Sequence, residues 1–316
     1  MAKAISRYRR VPVVTLILLL LVLLAITPLL ASTYRTVLLI SIFMYILLTV
    51  SWALFSGPTG YVSLAPAAFF GIGIYSSAVM GKQLPLPALV VAGGLLSFGV
   101  ALLVGVLTLR LRGIYFAIFT FGLVELIKHV LLWYEIEMTG TRGRFVVVVD
   151  NTTIYYIMLG ILVALLLTAF LTRRSRFGLA LRSIGENEEA AAHLGINVTA
   201  LKTVTFAVSA FFMGATGAIM ATRWTYVDPY IAFNPLFSFL PVLMAVFGGI
   251  GSLLGPILGA SVFAYLEEVL ITEFPYWYML ILGTILVVAI LYLPRGIVGL
   301  IQELWSRRRT GRRANT

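Results

Sequence analysis

The sequence predicts an all-α, polytopic membrane bundle, and three observations carry that expectation. Of 316 residues, 61% are hydrophobic and 11% charged, whereas a soluble domain carries about 25% charge. Mean hydropathy is +1.04. Apolar stretches of bilayer-crossing length recur along almost the whole chain, and in hydrocarbon a backbone must satisfy its own hydrogen bonds, which favours helices. The composition therefore points to one helical domain and argues against a large soluble one. Cysteine is absent, which excludes a disulfide framework and a thiolate metal site.

Taken in order, residues 1–11 form a basic N-terminus, 12–300 the membrane domain and 301–316 a basic tail. The formal net charge of +11 concentrates at the two ends, in Lys3, Arg7, Arg9 and Arg10, then Arg307, Arg308, Arg309, Arg312 and Arg313. Beside membrane spans, the positive-inside rule explains such charge better than nucleic-acid binding does, and both termini are expected in the cytoplasm. The first apolar run, Val11 to Leu30, is long for a signal peptide, and Ala25–Ile26–Thr27–Pro28 is a poor cleavage site, so it reads as a retained first span. Further spans are expected near 36–55, 62–80, 86–109, 114–134, 153–171, 202–222, 236–250, 253–271 and 275–293. The loop with Arg110 and Arg112 and the stretch 173–202 are basic, whereas 135–152 carries Glu135, Glu137 and Asp150 and fits the outside. Parity then gives about ten spans; Arg35 and Lys82 fall outside as mild exceptions.

Two stretches are not plain leucine helices. Gly57–Pro58–Thr59–Gly60 precedes YVSLAPAAFFGIGIYSSAVM, and FGGIGSLLGPILGASVF runs from Phe247 to Phe263. Glycine and proline inside a span free backbone groups, which must then be buried in protein or face a wet cavity. One such region in each half is the pattern of an internally duplicated transporter with interrupted helices beside its pathway. Glycines used only for close packing are the plainer alternative.

Enzymatic chemistry finds little support. There is no G-x-x-x-x-G-K-[ST] loop for phosphate and no H-E-x-x-H, and only two histidines, His129 and His193, occur. Ionisable residues within spans are Glu125, Lys128, His129, Glu267 and Glu268. The first three lie at i, i+3 and i+4, so Glu125 can pair with either base on its own helix face.

The most informative stretch is polar: TRRSRFGLALRSIGENEEAAAHLGINVTALK, Thr172 to Lys202. Glu188, Glu189 and the alanines favour a short helix, with Asn187 as N-cap and Gly195 just past its end. Arg173, Arg174, Arg176 and Arg182 upstream are expected as anchors at the membrane surface. An interfacial helix without a partner is the plainer alternative.

Here the residues resemble a family. Glu189–Ala190–Ala191–x–x–x–Gly195 is similar to the ATPase-docking loop of bacterial ABC importer permeases. GPTGYVSLAPAAFFGIGIYSSAVM, LRLRGIYFAIFTFGLVELI, the long segment SRFGLALRSIGENEEAAAHLGINVTALKTVTFAVSAFFMGATGAIMA, FGGIGSLLGPILGA and LPRGIVGL follow one another as in branched-chain amino acid permeases of the LivM type. Tyr61, Ala65 and Pro66 replace the Gln, Gly and His usual in the first motif, and Arg142 intrudes into Thr139–Gly140–Thr141–Arg142–Gly143, followed by Arg144. The resemblance implies a coupling loop of Arg182, Asn187, Glu188, Glu189, Ala190, Ala191 and Gly195. The two breaks and the family motifs suggest Gly60, Ser63, Pro66, Tyr115, Gly249, Gly251 and Ser252 along the pathway. It also implies partners: two ATPase subunits that hold ATP and Mg, a second LivH-like permease, an extracytoplasmic solute-binding protein and the lipid bilayer, with no nucleic acid and no cofactor or metal on this chain. The expected location is a bacterial or archaeal plasma membrane. A urea or other small polar solute permease of the same architecture stays open, as does an ion-coupled secondary transporter.

Overall fold

The computed structural model describes residues 22–30, 32–111, 113–292 and 296–299. The chain is helical almost throughout. Residues 22–30 form α1. It is followed by α2 (Thr33–Thr59), α3 (Pro66–Met80), α4 (Leu86–Thr108), α5 (Ile114–Tyr134, continued by a π-helical turn Glu135–Thr139) and α6 (Asn151–Arg174). Then come α7 (Arg176–Glu186), α8 (Glu188–His193), α9 (Val198–Ala221), α10 (Pro229–Ala232), α11 (Leu236–Gly248), α12 (Leu254–Glu273) and α13 (Tyr278–Tyr292). Two short strands, β1 (Arg144–Phe145) and β2 (Tyr226–Val227), pair antiparallel between the α5–α6 and α9–α10 connections.

Seven helices among the described residues are long and apolar enough to cross a membrane. The count of ten expected from the sequence is not reached. Residues 12–21 of the first expected span lie outside the described residues, as do Arg112 and the basic tail 301–316. Helices α3 and α13 have 15 residues each, about 22 Å of rise against a hydrocarbon core of about 30 Å. The expected span at 236–250 instead runs with α10 as Pro229–Gly248.

Helix α9 is the mast of the bundle: 83% of its apolar window is buried, against 22% for α5. It packs on α3 and α4 at backbone contact. A methyl group at Gly217 would collide with the Phe70 carbonyl, and one at Gly73 with the Gly214 carbonyl. Lipid supplies no hydrophobic drive between helices, so such close approach of small residues is what holds them. The ionisable residues of α5 pair with one another as their spacing implies, with Lys128 Nζ 2.5 Å and His129 Nε2 3.7 Å from Glu125.

Candidate functional site

The polar stretch folds as two helices rather than one. Helix α6 runs on to Arg174, and the Ser175 hydroxyl accepts from Gly178 N–H at 3.2 Å to open α7. The arginines read as plain surface anchors are thus split between the end of α6 and the exposed face of α7. Gly178, Leu181 and Ile184 are buried on the opposite face of α7. Asn187 then caps α8, its Oδ1 accepting from Glu189 N–H at 3.1 Å and Ala190 N–H at 3.0 Å. Glu188 and Glu189 occupy the positive end of that helix dipole. Gly195, at φ 83°, terminates it. Its N–H reaches the Ala192 carbonyl at 3.0 Å, and Ile196 N–H reaches Ala191 at 3.2 Å, the paired bonds of a Schellman motif. Ala191 faces inward, while Glu189, Ala190 and Gly195 are exposed.

Helix α7 packs against the end of α2 at the first break and faces the second across a cleft. A methyl group at Gly185 of α7 would strike the Pro58 carbonyl at the end of α2. A cleft of about 360 Å³ lies among α7, the ends of α2 and α6 and residues 250–256, and Gly60, Arg182, Gly251 and Ser252 all line it. Each break opens on a glycine in the left-handed half of backbone space, Gly60 at φ 72° and Gly249 at φ 101°. Of the pathway candidates, Gly60, Gly251 and Ser252 therefore come together beside the polar helices. Gly249 is buried behind them. Ser63 and Pro66 lie inside the bundle, and Tyr115 stands apart on α5 at 71% exposed.

Between Gly60 and Pro66 the chain is non-helical and Tyr61, Ser63 and Ala65 are buried, so its backbone needs partners from elsewhere. Trp52 Nε1–H donates to the Ser63 carbonyl at 2.7 Å, and Leu64 N–H donates to Thr120 Oγ1 at 2.9 Å. The Ser238 hydroxyl donates to the Leu64 carbonyl at 2.8 Å and accepts from Ala67 N–H at 3.1 Å. Three helices thus hold the break with one polar side chain each, from α2, α5 and α11. Sequence reasoning did not single out these residues; their signal is an isolated polar group in an apolar span.

A further cluster ties α8 to the break. Lys202, on the second turn of α9, is 1% exposed, and its Nζ lies 2.8 Å from Glu188 Oε1. It also donates to Tyr61 OH and the Leu109 carbonyl, both at 3.0 Å, and the Tyr61 hydroxyl donates to Glu188 Oε2 at 2.6 Å. Glu188, expected on a docking surface, is turned inward, and Tyr61, noted only as a departure from the family pattern, completes the ring. Arg142, the other departure, is likewise used within the chain: it pairs with Asp228 at 2.9 Å and stacks on the Tyr230 ring at 4.6 Å.

The family described as branched-chain amino acid transport system / permease component matches residues 34–290. The chain belongs to this family. It is the permease subunit of an ABC importer and a multi-pass membrane protein. Members of the family are transport subunits, not themselves enzymes, and work with ATPase and binding-protein partners. The chain is similar to LivM, a high-affinity branched-chain amino acid transport system permease protein of Salmonella typhimurium. The two are 28% identical over 289 residues, covering 80% of this chain and 67% of that protein. LivM of Escherichia coli is 27% identical over 290 residues with the same coverage. A xylose transport system permease of Haemophilus influenzae, XylH, is 28% identical over 163 residues, covering 50% of this chain and 44% of that protein. No solved structure matches the chain.

Proposed function

We propose that this permease pairs with a second, LivH-like permease to form a path for branched-chain or related amino acids, driven by two ATPase subunits and loaded by an extracytoplasmic solute-binding protein. ATP and Mg belong to the ATPases, and this chain carries no ATPase site, cofactor or metal of its own. The end bearing α7 and α8 faces the cytoplasm, as do both termini, in a bacterial or archaeal plasma membrane. The observation that carries the reading is the seating of α7 and α8 at the first helix break, with α7 facing the second across the cleft. An ATPase that displaces this module acts on the two places where the bundle is least constrained by continuous helix. Alternating access follows if ATP binding draws the module across and hydrolysis releases it.

The amino-acid substrate is supported by the names of the two LivM relatives, which match most of this chain. The departures at Tyr61 and Arg142 are absorbed by contacts inside the chain and do not by themselves favour a urea-like solute. The test is uptake into proteoliposomes containing both permeases, the ATPases and the binding protein. Labelled leucine should accumulate only with ATP inside the ATPase compartment and should ignore an uncoupler. Uptake that persists without ATPase subunits and collapses with the uncoupler would establish an ion-coupled carrier instead.

A further inference from the structure

We infer that Tyr61, Glu188 and Lys202 form a rigid joint that carries the movement of α8 into the first helix break, which makes them positioning residues for coupled transport. The inference rests on the importer reading above and deepens it. It starts from hydrogen-bond arithmetic. An ammonium group has three protons to give, and Lys202 gives them to Glu188 Oε1, Tyr61 OH and the Leu109 carbonyl. Tyr61 gives its own proton to the other carboxylate oxygen, Glu188 Oε2. The three side chains therefore close a ring, and the ammonium also sits 4.3 Å from the Tyr61 ring centroid.

The ring joins four segments: α8 through Glu188, α9 through Lys202, the end of α4 through Leu109, and the extended stretch after Gly60 through Tyr61. Lys202 is almost wholly buried. A buried, fully bonded charge cannot slide past its partner without leaving a charge unsatisfied, so the ring moves as a unit or not at all. Tyr61 lies between two different constraints. On one side is Gly60, with no neighbour that a Cβ would meet within 4 Å and a backbone at φ 72°, a natural place for the chain to turn. On the other is Ser63, whose carbonyl is held by Trp52. A shift of α8 is thus delivered to the stretch 61–65 rather than lost in a loop. The two adjacent acids also divide their work. Glu188 faces inward to the ring, whereas Glu189 is exposed on the face open to a partner.

The experiment uses the whole reconstituted complex and reads solute moved per ATP hydrolysed. A purely structural role lowers the number of working complexes, so transport and hydrolysis fall together and their ratio stays fixed. The joint predicts that the ratio itself falls. Tyr61→Phe keeps the ion pair but removes the hydroxyl that ties the break to it, and should lower solute per ATP at least threefold. Glu188→Gln with Lys202→Met removes both charges, so that none is stranded, and should lower it at least tenfold while ATPase co-purification is unchanged. A wild-type ratio in Tyr61→Phe overturns the inference, whether or not the double variant assembles. A wild-type ratio in an assembled double variant overturns it too. Wild-type complex that moves solute without ATP would instead overturn the importer reading, and the joint with it.

Discussion

Ser238→Ala should destabilise the bundle far more than the loss of one hydroxyl suggests. The Ser238 side chain is fully buried, donates to the Leu64 carbonyl at 2.8 Å and accepts from Ala67 N–H at 3.1 Å. Alanine removes both partners and leaves a carbonyl and an amide without replacement in a region that excludes water. Interhelical hydrogen bonds in membranes contribute on the order of 0.6–1.7 kcal/mol each, and an orphaned buried group costs about 1–3 kcal/mol. Two bonds give an expected loss of about 1–3 kcal/mol, since relaxation recovers part of the second figure. The control is Ser56→Ala, whose hydroxyl is buried with no hydrogen-bond partner among the described residues; that change should be neutral or slightly stabilising. Reversible unfolding of the purified permease in mixed micelles, followed by circular dichroism against denaturing detergent, measures the difference. Equal midpoints for the two variants would refute the argument that side chains from other helices hold the break.

Gly217→Leu should prevent α3 from seating on α9, because the new side chain meets the Phe70 carbonyl, a backbone atom that cannot rotate away. The cost is at least about 3 kcal/mol, at the severe end of overpacking. Gly160→Ala, where nothing lies within 4 Å, should keep the wild-type midpoint in the same assay. Glu189→Ala with Gly195→Val should leave the isolated permease's expression and melting almost unchanged, apart from about 1 kcal/mol of strain at the φ of 83°. ATPase co-purification and substrate-stimulated hydrolysis should fall together. Normal ATPase binding and wild-type transport in that double variant would remove α8 from the docking surface.

How far the sequence reaches depends on the range of the forces involved. The caps of α8 were readable because they are local: Asn187 and Gly195 act within four residues of themselves. The two breaks were readable for the same reason, since glycine and proline state their effect on the backbone where they stand. Helix α7 was not read, because Arg173, Arg174, Arg176 and Arg182 suggested a surface anchor, although Gly178, Leu181 and Ile184 line its buried face. The Tyr61–Glu188–Lys202 ring was not readable, because its members are brought together by the packing of α8 and α9 against the end of α4. Nothing in a lysine at the end of a polar stretch says that it will be 1% exposed. Trp52, Thr120 and Ser238 are hidden in the same way, each an ordinary residue of its own helix until the break passes beside it. Tyr115, named with the pathway residues by its place in a family motif, lies instead on an exposed face of α5, apart from the cleft.

The two breaks share a form but not a mode of support, and the difference bears on how a partner's force is divided. Both open on a glycine with positive φ and lead to a proline in the first turn of the next helix, Pro66 in α3 and Pro256 in α12. They lie against each other, since a Cβ at Gly57 would sit 3.2 Å from the Ile250 side chain. The second break is supported differently, by its own hairpin and by Gly296, where a Cβ would strike the Gly249 backbone. Gly255 N–H donates to the Ser252 hydroxyl at 2.9 Å, and α12 folds straight back on α11 where a methyl at Gly248 would meet the Gly255 carbonyl. The first break is bonded to α2, α5 and α11 by single hydrogen bonds and to α8 and α9 by the charged ring. A push on α8 therefore reaches the first break through the charged ring, whereas the second break lies across the cleft from α7. On that argument the first break moves relative to a second that stays folded on itself, and the fall in solute per ATP expected of Tyr61→Phe measures how much of the stroke takes this route.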